Sequence, residues 1–269
     1  MPREKHGPAV GLLRPLVQPA VRLSRYYPSD DLAPFVDFYW IVRWTLGDDS
    51  RVQETLPHPC VHLVVEQNAS GLFGVVQGRF TKEIHGSGRA ASVRFRPGGF
   101  APFWRGSVRD LTGRVLSLHD AFGAPGVAYE QAMLAAPDDD ATLVTLAEDF
   151  LRTRSPRGDE ALALVSRAMS LLEQERRITR VGELAESLGV GVRALQRLFV
   201  ERVGTSPKWA INRARLQDAA ARVMAGEAVD WTRLALELGY FDQAHLIRAY
   251  RKIIGVPPGE HARRTHQSA

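Results

Sequence analysis

The chain is poor in cysteine: Cys60 is the single one among 269 residues. One thiol cannot form an internal disulfide, so a disulfide-stapled extracellular domain is excluded and a reducing, cytoplasmic setting is expected. The chain also lacks any run of about 18 apolar residues, so it predicts no membrane-spanning helix and no membrane partner. Prolines interrupt the basic residues 1–20, so this stretch is expected to be a flexible tail and not a signal peptide.

Net charge is missing from the first part of the chain and concentrated in the second. Residues 1–155 contain 17 Lys and Arg against 17 Asp and Glu, whereas residues 156–269 contain 18 against 13. The whole excess of +5 therefore lies in the C-terminal part. A basic segment beside a neutral one predicts a polyanionic partner for the basic segment alone.

The N-terminal part is rich in strand-forming segments. Segments such as FVDFYWIVRWTL and VHLVV are aromatic and β-branched, and others end at Gly-rich turns. From about residue 108 the pattern becomes helical, and RSPRGD at 154–159 is the best linker candidate. The predicted organisation is a tail at 1–20, a β-rich domain at 21–155 and a helical domain at 156–269.

The helical domain contains an internal duplication. Val181, Leu184, Ala185 and Leu188 lie on one face of a predicted helix, and Trp231, Leu234, Ala235 and Leu238 repeat that spacing. Thr179 and Asp230 are the expected N-caps, and the helices are expected to end at Gly189 and Gly239.

A second helix follows in each copy. Leu195 aligns with Leu246, Arg197 with Arg248, and Gly204 with Gly255. The first helices align at an offset of 50 residues and the second at 51, so the second copy has one extra turn residue. Two helix-turn-helix units are therefore predicted.

The second helix of such a unit enters the major groove of DNA, where Arg pairs with guanine and Gln with adenine. The faces opposite the apolar stripes carry residues of these types, and we predict that they contact bases: Arg193, Gln196, Arg197, Gln243, His245 and Arg248. Four further cationic residues are predicted to contact the DNA backbone: Lys208, Arg215, Arg251 and Lys252. The alternative is a solvated charged face, which the duplication disfavours.

Residues 160–264 resemble the DNA-binding module of the AraC/XylS family of bacterial transcription regulators. The motifs LAESLGV…RALQRLFVERVGTSPKWAINRARLQDAA and LALELGYFDQAHLIRAYRKIIGVPPGEH carry the resemblance. It implies that a long helix at 207–225 sets two recognition helices about one DNA turn apart. Three positions depart from the family pattern: Phe241 replaces a small polar residue, Val192 a Ser N-cap, and Ala244 a frequent Ser.

For the N-terminal part, the resemblance implies a cupin-like β-barrel or another sensor with a helical dimerisation appendage. VRFRPGGFAPFWRG and LTGRVLSLHDAFG resemble the N-terminal domain of one uncharacterised AraC-type subgroup. The expected fold class is thus α+β with two domains, a β-rich barrel with a helical appendage followed by an all-α double helix-turn-helix domain.

The segment LPHPCVHLVVE places His58, Cys60, His62, Val64 and Glu66 on one face of a strand. Cupin enzymes bind metal through His, His and Glu, with His85 as a further candidate here, so a metal-dependent cupin-type enzyme is the rival hypothesis. Barrel lining is the plainer alternative, and no metal or cofactor is predicted. The PCVH motif is similar to the Pro-Cys-His-Arg of alkyl-acceptor proteins, but its His is displaced and no Arg follows.

Alternation along ASVRFRPGGF turns one pair of residues inward, either Arg94 with Arg96 or Val93 with Phe95. A buried Arg needs an anionic partner, either an internal carboxylate such as Glu66 or the acid group of a ligand. The aromatic residues Trp40, Trp44, Phe100, Phe103 and Trp104 line an apolar pocket or belong to the core. The ligand candidates are His58, His62, Glu66, Arg94, Arg96 and Trp104.

The primary hypothesis is a DNA sequence-specific transcription regulator, not an enzyme, with double-stranded DNA as its partner. A small-molecule effector and RNA polymerase are further candidate partners, and the chain is expected to be a monomer or homodimer. A sensor that binds DNA only with its ligand is a variant of the same hypothesis.

Overall fold

The computed structural model describes residues 3–5, 20–56, 58–175, 177–224 and 230–266. Most of the predicted tail, residues 1–2 and 6–19, lies outside the described residues. Within residues 3–5, Glu4 forms an antiparallel bridge with Tyr26, and the amide of Lys5 donates to the Arg25 carbonyl at 2.7 Å.

The N-terminal domain is built on one six-stranded antiparallel sheet. Its strands are β1 (Val21–Tyr26), β2 (Val36–Thr55), β3 (His62–Glu66), β4 (Gly71–Phe73), β5 (Phe80–Phe95) and β6 (Val115–Leu116). They are ordered β1-β2-β5-β3-β4-β6, so β1 and β6 are the two edges and the described sheet is open. The β-rich prediction is confirmed, whereas the expected closed barrel is replaced by an open sheet.

The long strands β2 and β5 dominate the sheet and run in register from Val36↔Phe95 to Thr55↔Phe80. The register shifts between Thr45 and Ser50, and Gly47 there has a φ of 61°. A left-handed φ costs glycine little, because it has no Cβ to clash with the backbone.

One face of the sheet packs on three helices, α1 (Leu118–Phe122), α2 (Ala124–Ala135) and α3 (Asp140–Arg152). Alternate strand residues supply this core, among them Tyr39, Ile41, Leu63, Val65, Val93 and Phe95. The Asp140 carboxylate joins α3 to the sheet, since it accepts from the Tyr26 hydroxyl at 2.6 Å and pairs with Arg43 at 2.6 Å. Burial, followed by this hydrogen bond, raises the pKa of Tyr26 to about 12.

The C-terminal domain is helical. Its helices are α4 (Glu160–Gln174), α5 (Val181–Leu188), α6 (Val192–Leu198), α7 (Pro207–Met224), α8 (Trp231–Glu237), α9 (Gln243–Ile254) and α10 (Pro258–His266). A π-helical turn, Phe199–Val203, extends α6. No helix among the described residues is long and apolar enough to cross a membrane. The predicted α+β class is therefore confirmed.

The ends of the paired helices show why the duplicated sequence folds as it does. Gly189 and Gly239 have φ angles of 69° and 64°, the left-handed conformation that ends a helix. Asp230 caps α8 by accepting from the amides of Thr232 and Arg233. Thr179 is not the N-cap of α5, because the helix begins at Val181 and the Glu183 carboxylate accepts from the amides of Thr179 and Arg180.

Candidate nucleic-acid interface and effector cavity

The first predicted recognition helix, α6, is anchored by Leu195 and exposes its polar face. Leu195 and the following Phe199 are fully buried in a core shared with α4, α5 and α7. Arg193, Gln196 and Arg197 are all exposed. The predicted base-contacting residues of this unit thus lie together on the open side of the helix.

The second predicted recognition helix, α9, repeats this arrangement. Leu246 and Tyr250 are fully buried, and the Asp242 carboxylate caps the helix by accepting from the amide of His245 at 2.6 Å. The predicted base-contacting residues of this helix, Gln243, His245 and Arg248, are exposed. The His245 ring lies edge-on to Tyr240 at 5.1 Å, and this contact orients it.

The four residues predicted to contact the DNA backbone divide into two groups. Lys208, Arg251 and Lys252 are exposed at the starts or outer faces of α7 and α9. Arg215 is only 8% exposed: its guanidinium stacks on Tyr240 at 4.1 Å and donates to Asn212. Its predicted phosphate contact is therefore corrected to a packing role, because the helical face that it occupies is buried between the two units.

The extra residue of the second unit can be located from the turn hydrogen bonds. The Val190 amide donates to the Ala185 carbonyl at 3.0 Å, and the Tyr240 amide donates to the Ala235 carbonyl at 2.8 Å. Val190 and Tyr240 are therefore equivalent. Gly191 and Asp242 are the N-caps of α6 and α9, so Phe241 is the residue without a counterpart.

A cavity of about 270 Å³ lies on the face of the sheet opposite α1–α3. Its apolar wall includes Phe38, Trp40, Val42 and Trp44, the residues of β2 that alternate with the core residues. The predicted strand face His58, Cys60, His62, Val64 and Glu66 lines the same cavity. Four of the six ligand candidates, His58, His62, Glu66 and Arg94, are thereby brought together.

Two guanidinium groups converge on His58 at one end of the cavity. Nη2 of Arg94 lies 2.8 Å from His58 Nδ1, and Nη2 of Arg213, on α7, lies 2.7 Å from the same atom. Burial and then the charges of Arg213 and Arg94 hold the pKa of His58 well below its usual value. Arg94 also pairs with Asp37 at 3.3 Å, whereas Glu66 pairs with Lys82.

His62 and Cys60 on this wall are both held in their neutral forms. His62 accepts from the Trp40 indole at 3.5 Å, and burial followed by the Arg94 charge lowers its pKa to about 3. Within the described part of the chain, no three His, Cys, Asp or Glu side chains are arranged to hold a metal. Burial raises the pKa of the Cys60 thiol, which disfavours the thiolate that an alkyl acceptor requires.

Two ligand candidates lie elsewhere. Arg96 follows the last residue of β5, is exposed, and donates to the Ala33 carbonyl at 2.8 Å. Trp104 packs against Phe100 in the core on the helix side of the sheet, as does Phe103. Arg96 is outside the cavity because β5 ends at Phe95, and Trp104 follows the core alternative given for the aromatic residues.

Sequence reasoning missed the residues that join the cavity to the C-terminal domain. Leu56 lines the cavity and is also buried in the core formed by α7, α8 and α9. Arg213 reaches His58 from α7, and the Thr112 hydroxyl donates to the Gly204 carbonyl at 2.6 Å. No periodicity distinguishes these residues in the sequence, since their partners lie more than 90 positions away.

Two family models match the chain. Residues 24–117 match a domain of unknown function, DUF6597, and residues 184–264 match a helix-turn-helix domain. Residues 184–264 are thus similar to a helix-turn-helix domain, and the resemblance of the C-terminal part to the AraC/XylS module is confirmed. The match over 24–117 agrees with the expected uncharacterised N-terminal domain. No curated protein matches the chain at a significant level.

Several solved structures are similar to the chain. The C-terminal domain of AraT, a response regulator from Geobacillus stearothermophilus, is 22% identical over 39% of this chain and 88% of that one, with a TM-score of 0.35. An AraC-type transcriptional regulator from Chromobacterium violaceum is 24% identical over 40% and 96%, with a TM-score of 0.37. ToxT from Vibrio cholerae is 11% identical over 91% and 97%, with a TM-score of 0.40. At these TM-scores, similarity of the whole folds is not established.

Proposed function

We propose that this chain is a sequence-specific DNA-binding transcription regulator of the AraC type that contacts DNA through two helix-turn-helix units. One observation carries the proposal: two equivalent helices, α6 and α9, each bury one apolar stripe and expose Arg, Gln or His side chains. These are the side chains that pair with base edges in the major groove.

In this proposal each recognition helix enters one of two successive major-groove segments. Arg193, Gln196 and Arg197 contact bases in one segment, and Gln243, His245 and Arg248 do so in the other. Lys208, Arg251 and Lys252 contact phosphates and fix the register without carrying sequence information. DNA bending accompanies binding where a straight duplex does not admit both helices.

The test is binding of the full chain to a selected DNA site and to a scrambled duplex across a salt series. Non-specific affinity falls steeply with salt, so the specific complex should survive where the scrambled one dissociates.

Arg197→Ala and Arg248→Ala should each lose about 1–3 kcal/mol of binding free energy on the specific site and relax base preference there. Arg51→Ala, which removes an exposed charge from β2, is the control and should leave the discrimination unchanged. Equal losses on both duplexes would contradict the assignment.

The proposal includes control by a small molecule in the cavity of the N-terminal domain. Support comes from Leu56 and His58, since both line the cavity and both contact the C-terminal domain. A molecule that moves either residue also moves the environment of α7. The apolar walls and the guanidinium group of Arg94 favour a mainly apolar effector with a hydrogen-bond acceptor at one end.

Tryptophan fluorescence offers a direct assay, because Trp40 and Trp44 line the cavity. Octanoate and octan-1-ol have the same eight-carbon chain, which a cavity of about 270 Å³ accommodates. They differ in the head group, which is a carboxylate in one and a hydroxyl in the other. Octanoate should bind more tightly, and Arg94→Gln should remove the difference. Ala90→Leu, which fills part of the cavity, should weaken both probes. Unchanged fluorescence and unchanged DNA affinity with either probe would count against an apolar effector at this place.

A further inference from the structure

The turn between α8 and α9 contains one residue more than the turn between α5 and α6. That residue is Phe241, because Tyr240 and Asp242 each have an equivalent in the first unit. Its side chain is 87% exposed, and no large apolar side chain among the described residues is more exposed. The second unit therefore carries a projecting phenyl ring that the first unit lacks.

The residues on either side hold this ring in a defined position. Tyr240 is buried, stacks on Arg215 at 4.1 Å, and its amide donates to Ala235. Asp242 caps α9 through the amide of His245. The backbone at Phe241 is thus anchored on both sides, while the ring points away from the core. An isolated exposed apolar residue is common in proteins, but this one sits on a constrained turn beside a helix N-terminus.

Its neighbours are the first residues of the recognition helix. Gln243, Ala244 and His245 follow the capping residue Asp242 and are exposed. In helix-turn-helix proteins, the N-terminal residues of the second helix are those that contact base edges. The phenyl ring therefore lies at the end of α9 that faces the floor of the groove in the proposed complex.

We propose that Phe241 is a specificity-determining residue that packs against the C5-methyl group of thymine in the major-groove segment contacted by α9. Thymine alone presents a methyl group at a base edge in that groove, and apolar side chains including Phe contact it. The contact removes two apolar surfaces from water, which is the physical source of the preference. The inference rests on the proposed DNA-binding function and adds a base preference that the polar residues of α9 do not supply.

The experiment begins with selection of preferred sites from a random duplex library by the full-length wild-type chain. Each thymine of the selected site is then replaced singly by deoxyuridine, which removes the methyl group and leaves the hydrogen-bonding groups in place. We expect one replacement, in the half contacted by α9, to weaken wild-type binding about threefold to tenfold. Phe241→Ala should bind the thymine site that much more weakly and show no further loss with deoxyuridine.

Two variants sharpen the comparison. Phe241→Leu keeps an apolar side chain and should retain most of the preference for thymine. Leu236→Ala removes another exposed apolar side chain, 65% exposed on α8, and should leave the deoxyuridine profile unchanged. Since the Phe241 ring is largely exposed, all three variants should keep a thermal midpoint within about 2 °C of wild type.

The possible outcomes separate this inference from the proposed function. If wild type and Phe241→Ala respond in the same way to every deoxyuridine replacement in the selected site, the proposed role of Phe241 is overturned. The DNA-binding function is then left intact. If the wild-type chain enriches no site from the library, the proposed function is overturned, and this inference with it. Loss of sensitivity to deoxyuridine at one position, confined to the Ala variant, supports both.

Discussion

At the scale of single residues, the cavity is notable for histidines held in their neutral form. His58 lies within hydrogen-bond distance of guanidinium groups from both domains, and His62 accepts from Trp40. Burial is the main cause of the low pKa of both rings, and nearby arginine charges add to it. A neutral ring can accept from a cationic donor, whereas a protonated one would repel it.

These low pKa values predict acid sensitivity. The unfolded chain binds protons on both histidines below a pH of about 6.5, whereas the folded chain leaves them neutral, so stability should decrease as the pH falls from 6.5 towards 3. Urea unfolding at about pH 7.5 and about pH 5 should show a loss of up to about 2 kcal/mol for each histidine.

His62→Gln is the matched variant for that measurement, because it removes the titration while retaining a polar side chain of similar size. It should lose less stability than wild type between the two pH values. His119, which is largely exposed on α1, provides the control, and His119→Gln should follow the wild-type curve. Equal pH dependence in all three proteins would show that the buried rings titrate normally.

At the scale of secondary-structure elements, the helix pairs α5–α6 and α8–α9 are matched in their turns but not in their surroundings. Gly189 and Gly239 both adopt left-handed φ angles. A Cβ at Gly189 would meet nothing within 4 Å, whereas one at Gly239 would lie 3.0 Å from Thr179 Cγ2. The second turn is therefore packed against the segment that precedes α5, and the first turn is open.

A series of glycine variants tests this difference. Gly189→Ala should cost about 1–2 kcal/mol, the penalty for a Cβ at a left-handed φ. Gly239→Ala should cost more, because the crowding against Thr179 is added to the same penalty. Gly182→Ala, within α5 and with no close neighbour, should be neutral or stabilising by about 0.5 kcal/mol. Denaturant unfolding measures all three, and equal costs at 189 and 239 would refute the packing argument.

Local sequence patterns predicted the paired helices and the strands because these elements depend on residues close to one another in the sequence. The apolar spacing of the paired helices, the terminal glycines and the Asp230 cap follow from neighbouring residues. So does the strand alternation that places His62, Val64 and Glu66 in one cavity, whereas His58 and Cys60 line it from the segment before that strand. The errors arose where contacts with residues distant in sequence determine the position of a side chain. Arg215 carries the charge of a phosphate-binding residue, but its guanidinium is covered by Tyr240. Arg96 was misplaced because β5 ends at Phe95, a boundary that alternation alone does not reveal. Trp104 packs on the core, which its aromatic character alone does not distinguish from a pocket wall.

At the scale of the whole molecule, side chains of each domain pack against buried residues of the other. Leu56 belongs to the end of the sheet in sequence and to the core of α7, α8 and α9 in space. Arg213 is buried against His58, and Arg79, paired with Glu54 at 2.8 Å, lies where a Cβ at Gly255 would contact it. Stability of the second helix-turn-helix unit is therefore coupled to the N-terminal domain.

Truncation of Leu56 measures that coupling. Leu56→Ala should destabilise the chain by about 2–4 kcal/mol, because it leaves a cavity in a packed core. Hydrogen exchange should quicken in α8 and α9, which belong to the other domain. Val52→Ala, at an exposed position on β2, should change stability by less than about 0.5 kcal/mol. Faster exchange confined to the N-terminal sheet would contradict the coupling.

The position of Leu56 also limits how this chain can be recombined with others. A hybrid chain joined within residues 154–159 would keep the three helices around Leu246 and discard the leucine that completes their core. A foreign N-terminal domain would then have to supply an apolar side chain at the same place in space. A workable graft therefore transplants the segment around residues 54–58 together with the C-terminal domain, although almost 100 residues of sequence separate the two.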